Sequence, residues 1–337
     1  MKKISLKKLG LVFTTACVAG VMAFALAGCG GGSSDNGGGD SGASSTLRFV
    51  TGGEAGTYYA FGSVIAQHAT NEAGVEVTAL SSEGSKANVI DLADSNAELG
   101  FCQSDVMSYA YEGTNVFADE GAVTNFSTLG TLYEEQVQIV TCDPDIKSPA
   151  DLKGKAVSVG AANSGTYFNA VDILGAYGLT VDDIDAQNLN FADSTEGLQD
   201  GKIDAAFVVA GAPTTSIETL SASKTAYLVA LDDEHVDALL KASPYYSKAT
   251  IPAGTYGLKE DVTTVSVGAV VIVRDDVPED AVYALTADIF DNAANLTENH
   301  AKYAEVSVEK GASVTTVPYH AGAAKYFKEK GIEVPTK

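Results

Sequence analysis

Arginine is almost missing from this chain. Of its 337 residues only Arg48 and Arg274 carry a guanidinium, and 21 Lys+Arg stand against 44 Asp+Glu, a formal net charge of −23. So acidic a chain is a poor partner for nucleic acid or anionic lipid headgroups. Arg48 sits inside an apolar strand-like run and Arg274 ends another, so a bidentate arginine clamp on a carboxylate is not at hand. Metal signatures are missing too. There is no CxxC and no HExxH, and His68, His235, His300 and His320 are scattered. Neither a metal site nor a cofactor is expected.

Cysteine is scarce, with Cys17, Cys29, Cys102 and Cys142 the full set. The amino terminus accounts for two of them. Lys2, Lys3, Lys7 and Lys8 form a basic start, and an apolar stretch runs from about Leu9 to Leu26. It ends in Leu26-Ala27-Gly28-Cys29, small residues ahead of a cysteine. That pattern resembles the bacterial lipoprotein signal. Residues 1–29 then form the targeting segment, and Cys29 is lipidated as the first mature residue. An uncleaved membrane helix is the other reading, since the run is nearly long enough to span. The small-residue ending and the linker behind it favour the lipoprotein. Losing the four lysines leaves 17 basic against 44 acidic residues, a net of −27. The expectation is an extracytoplasmic protein held to the membrane by lipid alone, two acyl chains sufficing for anchoring. Cys102 and Cys142 remain, as two buried thiols or as a disulfide.

Residues 30–45 are almost all Gly, Ser, Asp and Asn and read as a flexible tether. The body from Thr46 alternates strand-like and helix-like segments, which predicts an α/β fold with mostly parallel sheets. Two strands near 136–141 and 265–273 fall where the chain would pass between lobes. That gives a discontinuous first lobe, about 46–141 plus 255–337, around a second lobe at 142–254.

The body is organised around a stretch that occurs twice. Thr51-Gly52-Gly53-Glu54-Ala55-Gly56-Thr57-Tyr58-Tyr59 and Gly160-Ala161-Ala162-Asn163-Ser164-Gly165-Thr166-Tyr167-Phe168 both end in Gly-Thr-Tyr-aromatic. Each follows a short apolar run and leads into a helix-like segment. The open amides at a helix start bind anions without a cationic side chain. Gly-Thr before a helix is also ordinary turn and cap chemistry; the repetition with matching flanks favours a ligand clamp. Strand ends in an open α/β sheet form the binding rim. They place Thr51, Gly52, Gln103, Ser104 and Asp105 on one lobe, and Asn163, Ser164, Thr166, Gly211, Pro213 and Thr214 on the other.

Taken in order, several segments resemble the TAXI-type solute-binding receptors of tripartite ATP-independent periplasmic (TRAP) transporters. They are the 51–59 stretch, Gly84-Ser85-x-x-Asn88, Gln103-Ser104-Asp105, Ser164-Gly165-Thr166, Gly211-x-Pro213-Thr214, Ile251-Pro252-Ala253-Gly254-Thr255-Tyr256 and His320-x-Gly322-Ala323. The likeness runs from about Leu47 to Gly331. It implies a two-lobed type II periplasmic-binding-protein fold with a hinge and an interlobe ligand cleft. It also implies delivery of a small organic solute, glutamate, glutamine or another carboxylate, to a membrane permease driven by an ion gradient. Lys86 departs from the uncharged residue usual at that place; it touches the cleft or is solvated.

A carboxylate solute would be met by the amides around Gly56, Thr57, Gly165 and Thr166 and the hydroxyls of Thr57, Ser85, Ser164 and Thr166. Each charge-assisted bond contributes about 1.5–3 kcal/mol, so several give micromolar binding after entropy losses. Tyr58, Tyr59 and Tyr256 wall the pocket or pack ordinarily. Asp105 holds an ammonium group or caps its helix. An exported serine hydrolase is the competing class. Ser221-Ala222-Ser223-Lys224 fits S-x-x-K, but Val106 follows Ser104-Asp105 and Ala226 follows Lys224-Thr225, so the supporting motifs fail. No catalytic residue is assigned. A sensory or adhesive surface lipoprotein of the same fold stays as an alternative.

Overall fold

The first half of the sheet follows from three strand–turn–helix units. In a computed structural model, described for residues 46–337, β1 (Leu47–Val50), β2 (Val77–Leu80) and β3 (Leu99–Gln103) run parallel, with β1 in the middle. Helices α1 (Thr57–His68), α2 (Ser85–Ala93) and α3 (Ser104–Glu112) follow them in turn. The signal segment, Cys29 and the tether lie outside the described residues. Close packing of α1 depends on Gly62, where a Cβ would stand 2.6 Å from Thr51 Cγ2. The neighbouring Phe61 is fully buried and stacks on Tyr303 with ring centroids 4.3 Å apart. Burying such a ring contributes about 1.5–3 kcal/mol.

The chain then runs through β4 (Phe126–Thr141), β5 (Ala156–Ser158), α4 (Gly165–Ala176), β6 (Asp185–Gln187), α5 (Phe191–Asp200) and β7 (Ala205–Ala210). Next come α6 (Thr215–Ser223), β8 (Tyr227–Leu228), α7 (Asp233–Ala242), β9 (Ser247–Ile251), β10 (Val262–Arg274) and α8 (Glu279–Asp291). The sheet order is β2-β1-β3-β10-β4-β7-β5-β6, with β8 also on β4 and β9 on β10. The expected parallel pairing holds only toward the two ends, at β2-β1-β3 and β7-β5-β6. The middle is antiparallel, because β4 and β10 pair with each other and with their inner neighbours head to tail. At about 3.4 Å per residue, the 16 residues of β4 span roughly 50 Å. The sequence marks only its last six residues, 136–141, as strand.

Those two strands thread separate cores. The first gathers Phe49, Phe61, Val89, Phe101 and Tyr133 with Ala269–Val273 and Phe327. The second holds Val137, Ile139, Val157, Ile173, Phe207, Val265 and Val267; a third, holding Leu198, Val208 and Ile217, lies with α5 and α6. The exchange falls within four successive rungs, from Tyr133↔Ala269 on one side to Gln136↔Ser266 on the other. Residues 137–141 and 262–267, read from the sequence as first-lobe chain, therefore pack with the second and third cores. Tyr256 also packs against the third. Cys102 and Cys142 are free thiols; Cys102 is in the first core and Cys142 lies against the third.

Candidate functional site

Residues from both sides of this division line one cavity of about 660 Å³. Four helix starts border it: Gly56-Thr57 of α1, Gly84-Ser85 of α2, Ser164-Gly165 of α4 and Asn190-Phe191 of α5. The last two are capped internally. Ser164 Oγ accepts from the Tyr167 amide at 3.3 Å and Asn190 Oδ1 from the Asp193 amide at 2.9 Å. The starts of α1 and α2 carry no side-chain cap. Gly84 turns into α2 at φ 108°, a conformation that favours glycine. The first turns of these two helices thus leave amides without a side-chain cap, that of Ala87 in α2 being taken by the Asn163 carbonyl.

The charged part of the lining is acidic. Glu54, Glu83, Glu135 and Asp193 contribute to it, and among the described residues no Lys, Arg or His does. Glu135 is 1% exposed, and its Oε2 accepts from Tyr58 Oη at 2.6 Å. Burial pushes its carboxyl up to about 8; the Tyr58 bond opposes, the Asp105 charge adds to the rise, and Lys302 and Gln103 pull back. Beside it, Gln103 Oε1 is buried with no hydrogen-bond partner. Gly165 makes room for that carboxamide, since any Cβ there would run into Oε1.

Of the residues singled out from the sequence, Gly52, Gly53, Gly56, Thr57, Tyr58, Ser85, Gln103, Ser164, Gly165 and Thr166 line the cavity. Several of their hydroxyls are already engaged. Thr57 Oγ1 donates to the Gly211 carbonyl at 2.9 Å, Ser164 Oγ to that of Ala161 at 2.7 Å, and Ser85 Oγ accepts from the Gln103 amide at 3.1 Å. Backbone amides are the more available donors.

The other candidates lie outside the lining and hold the frame. Thr51 Oγ1 donates to the Leu80 carbonyl, and Asn88 Nδ2 ties the Thr51 and Phe101 carbonyls, each at 2.7 Å. Ser104 Oγ accepts from the Gly268 amide. Asp105, expected either to face an ammonium or to cap its helix, turns toward α4. Its Oδ1 accepts from the Val106 amide and its Oδ2 from Asn169 Nδ2 at 2.9 Å; burial lifts its carboxyl to about 6. Tyr256 Oη accepts from the Thr214 amide and donates to Gln138 Oε1, both at 2.6 Å, so it braces the 211–214 turn from behind. Pro213 is exposed in that turn, and Tyr59 is half-exposed one helix step round from Tyr58. Lys86 is neither in the cleft nor solvated: its Nζ meets Glu120 and the Val116 carbonyl at 2.8 Å and lies over the Phe117 ring. Ser221 of the S-x-x-K match sits on α6, outside the cavity lining, donating to the Glu218 carbonyl.

Asn163 acts across the mouth. Its Nδ2 donates to Glu83 Oε2 at 3.1 Å and its carbonyl accepts from the Ala87 amide at 3.2 Å. The Thr57–Gly211 and Asp105–Asn169 bonds join the same two sides, as does the Ser216 amide on the Ala55 carbonyl. The sequence reading missed Glu135 and the whole α5 start. The spacing Asn190-x-x-Asp193 is a helix-start signal that points to the latter. Nothing local marks Glu135, an acid in a strand.

Comparison with solved structures places the architecture. A protein of Bordetella bronchiseptica RB50 matches with TM-score 0.52 at 16% identity, covering 86% of this chain and 90% of its own. PhnD1 from Prochlorococcus marinus, solved with methylphosphonate, matches at TM-score 0.48 and 11% identity, over 76% of this chain and 88% of that one. The GluR0 ligand-binding core from Nostoc punctiforme, solved with L-glutamate, gives 0.44 and 17%, over 77% and 95%. The fold is that of the type II periplasmic binding proteins. The NMT1-like family pattern matches residues 49–331, nearly the whole described chain, and this protein belongs to the NMT1-like family.

Proposed function

We propose that this chain is an extracytoplasmic solute-binding lipoprotein. In this reading Cys29 anchors it, and a cleft between two lobes captures a small organic solute, a carboxylate such as glutamate or a related amino or organic acid. It then delivers the solute to a TRAP-type membrane permease and performs no chemistry on it. The observation that carries the reading is the convergence of four helix starts on one cavity, two without side-chain caps, beside a buried carboxamide oxygen that lacks a partner. Such amides favour an anionic group in a site without a cationic side chain. The ordered likeness to TAXI-type receptors supports the permease class. The lobes close by bending where β4 and β10 exchange cores, and Asn163 with Glu83 fastens the mouth.

Thermal unfolding of the full chain in detergent, against amino acids and organic acids, tests this. A ligand at a hundred times its Kd stabilises by about 2.7 kcal/mol. A rise with glutamate or a related acid, reduced by Thr166→Val, is expected. Uptake of that solute into vesicles holding the permease must then need both this protein and an ion gradient; uptake that needs ATP instead would sink the TRAP assignment.

A further inference from the structure

The cavity offers two unlike surfaces. Donors come from the open amides of α1 and α2. Acceptors come from Glu135 and from Gln103 Oε1, on side chains 1% and 2% exposed. A buried acceptor without a partner is costly, and a ligand donor relieves the cost. The other charged lining groups, Glu54, Glu83 and Asp193, are all negative. A dianionic dicarboxylate brings no donor of its own, so Gln103 Oε1 would stay unpartnered, whereas an ammonium brings three donors.

We infer that Glu135 and Gln103 Oε1 receive a cationic nitrogen of the solute, so that the cleft selects an amine-bearing acid over its desamino counterpart, and that Glu135 gives up its proton as the amine docks. The inference rests on the reading of this cleft as the solute site. The balance is simple: the neutral carboxyl loses H⁺ to solvent, and the resulting carboxylate pairs with the ammonium, which keeps its own protons.

The groups around Glu135 are consistent with this. Tyr58 reaches it from α1, Asp105 acts from α3, and Tyr133 lies two residues before it on β4. Lys302, the cation that acts on it, is itself bonded to Glu305. With no cation committed to it and little solvent, the carboxyl stays protonated up to about 8. At pH 7 about nine sites in ten then hold the proton, so docking an ammonium releases about 0.9 proton, falling to about 0.1 at pH 9.

The test uses the full chain in detergent and the twenty amino acids, each beside the same acid without its amine, L-glutamate beside glutarate for example. Binding is followed by calorimetry in buffers of different ionisation enthalpy. The expected result is that the amine member binds about 10- to 100-fold tighter than its partner, with proton release at pH 7 that fades by pH 9. Glu135→Gln, nearly isosteric and still able to accept from Tyr58, should lose that preference and the proton release while unfolding cooperatively. Equal or tighter binding of the desamino acid, proton uptake, or an unchanged preference in Glu135→Gln overturns the inference and leaves the receptor reading standing. Binding of no member of any pair overturns both.

Discussion

Glu135→Gln also makes a prediction about stability that needs no ligand. The carboxyl rises from its ordinary 4.5 to about 8 in the folded chain, chiefly because burial penalises the charge. A raised carboxyl contributes stability that is whole below about pH 4.5 and is lost as pH climbs through 8. At about 1.36 kcal/mol per unit, the loss is about 3 kcal/mol by pH 7 and about 5 kcal/mol above pH 9. Glutamine stays neutral throughout and can still accept from Tyr58, so it avoids the loss. Urea unfolding of both proteins from pH 4 to 9 should give a stability difference that is flat at the acid end. It should then move in favour of the variant by about 1.4 kcal/mol per pH unit between 5 and 8, and level off. Asp105, whose carboxyl also rises, titrates in both proteins, so only its coupling to Glu135 enters the difference. Parallel curves across the whole range would refute the argument, because they would mean that the charge costs the fold nothing.

Three further outcomes follow from packing and hydrogen bonds. Asn88→Ala strands the Thr51 and Phe101 carbonyls and should cost about 2–4 kcal/mol in chemical unfolding. Gly165→Ala drives a methyl into the Gln103 carboxamide; solute affinity should fall at least tenfold, and small-angle scattering with solute should show a larger radius of gyration than the parent's. Tyr256→Phe removes the acceptor of the Thr214 amide and the donor to Gln138, so the melting point should drop by the equivalent of about 1–3 kcal/mol, with solute affinity within about twofold.

The outer parts of the sheet were legible because their units are local. An apolar run, a glycine turn and a helix start identify β1, β3, β5 and their helices without reference to the rest of the chain. The middle was not legible in the same way. Residues 126–135 of β4 carry Gly130 and the pair Glu134-Glu135, which break the apolar run, and what makes them strand is β10 lying alongside. Helix α5, Phe-Ala-Asp-Ser-Thr-Glu-Gly-Leu-Gln-Asp, has too few apolar residues to announce a buried face. At the cavity, the motifs lie on turns that line it, but the direction of each side chain was set by packing. Asn88, Asp105 and Tyr256 stand at the expected places and point into the frame. Glu135 was invisible because acids in strands ordinarily face water, and its burial is a product of the crossing strands.

That crossing gives Glu135 a particular mechanical position. It lies on β4 between Tyr133, packed in the first core, and Val137, packed in the second. A group on the axis of a bend moves little while the walls on either side sweep past it. In the proposed closure both walls approach a solute seated there without dislodging it, and the docking point is shared by the open and the shut cleft. Under that proposal a charge arriving there acts directly on the stretch of chain that flexes, and recognition and closure need no relay of intervening side chains.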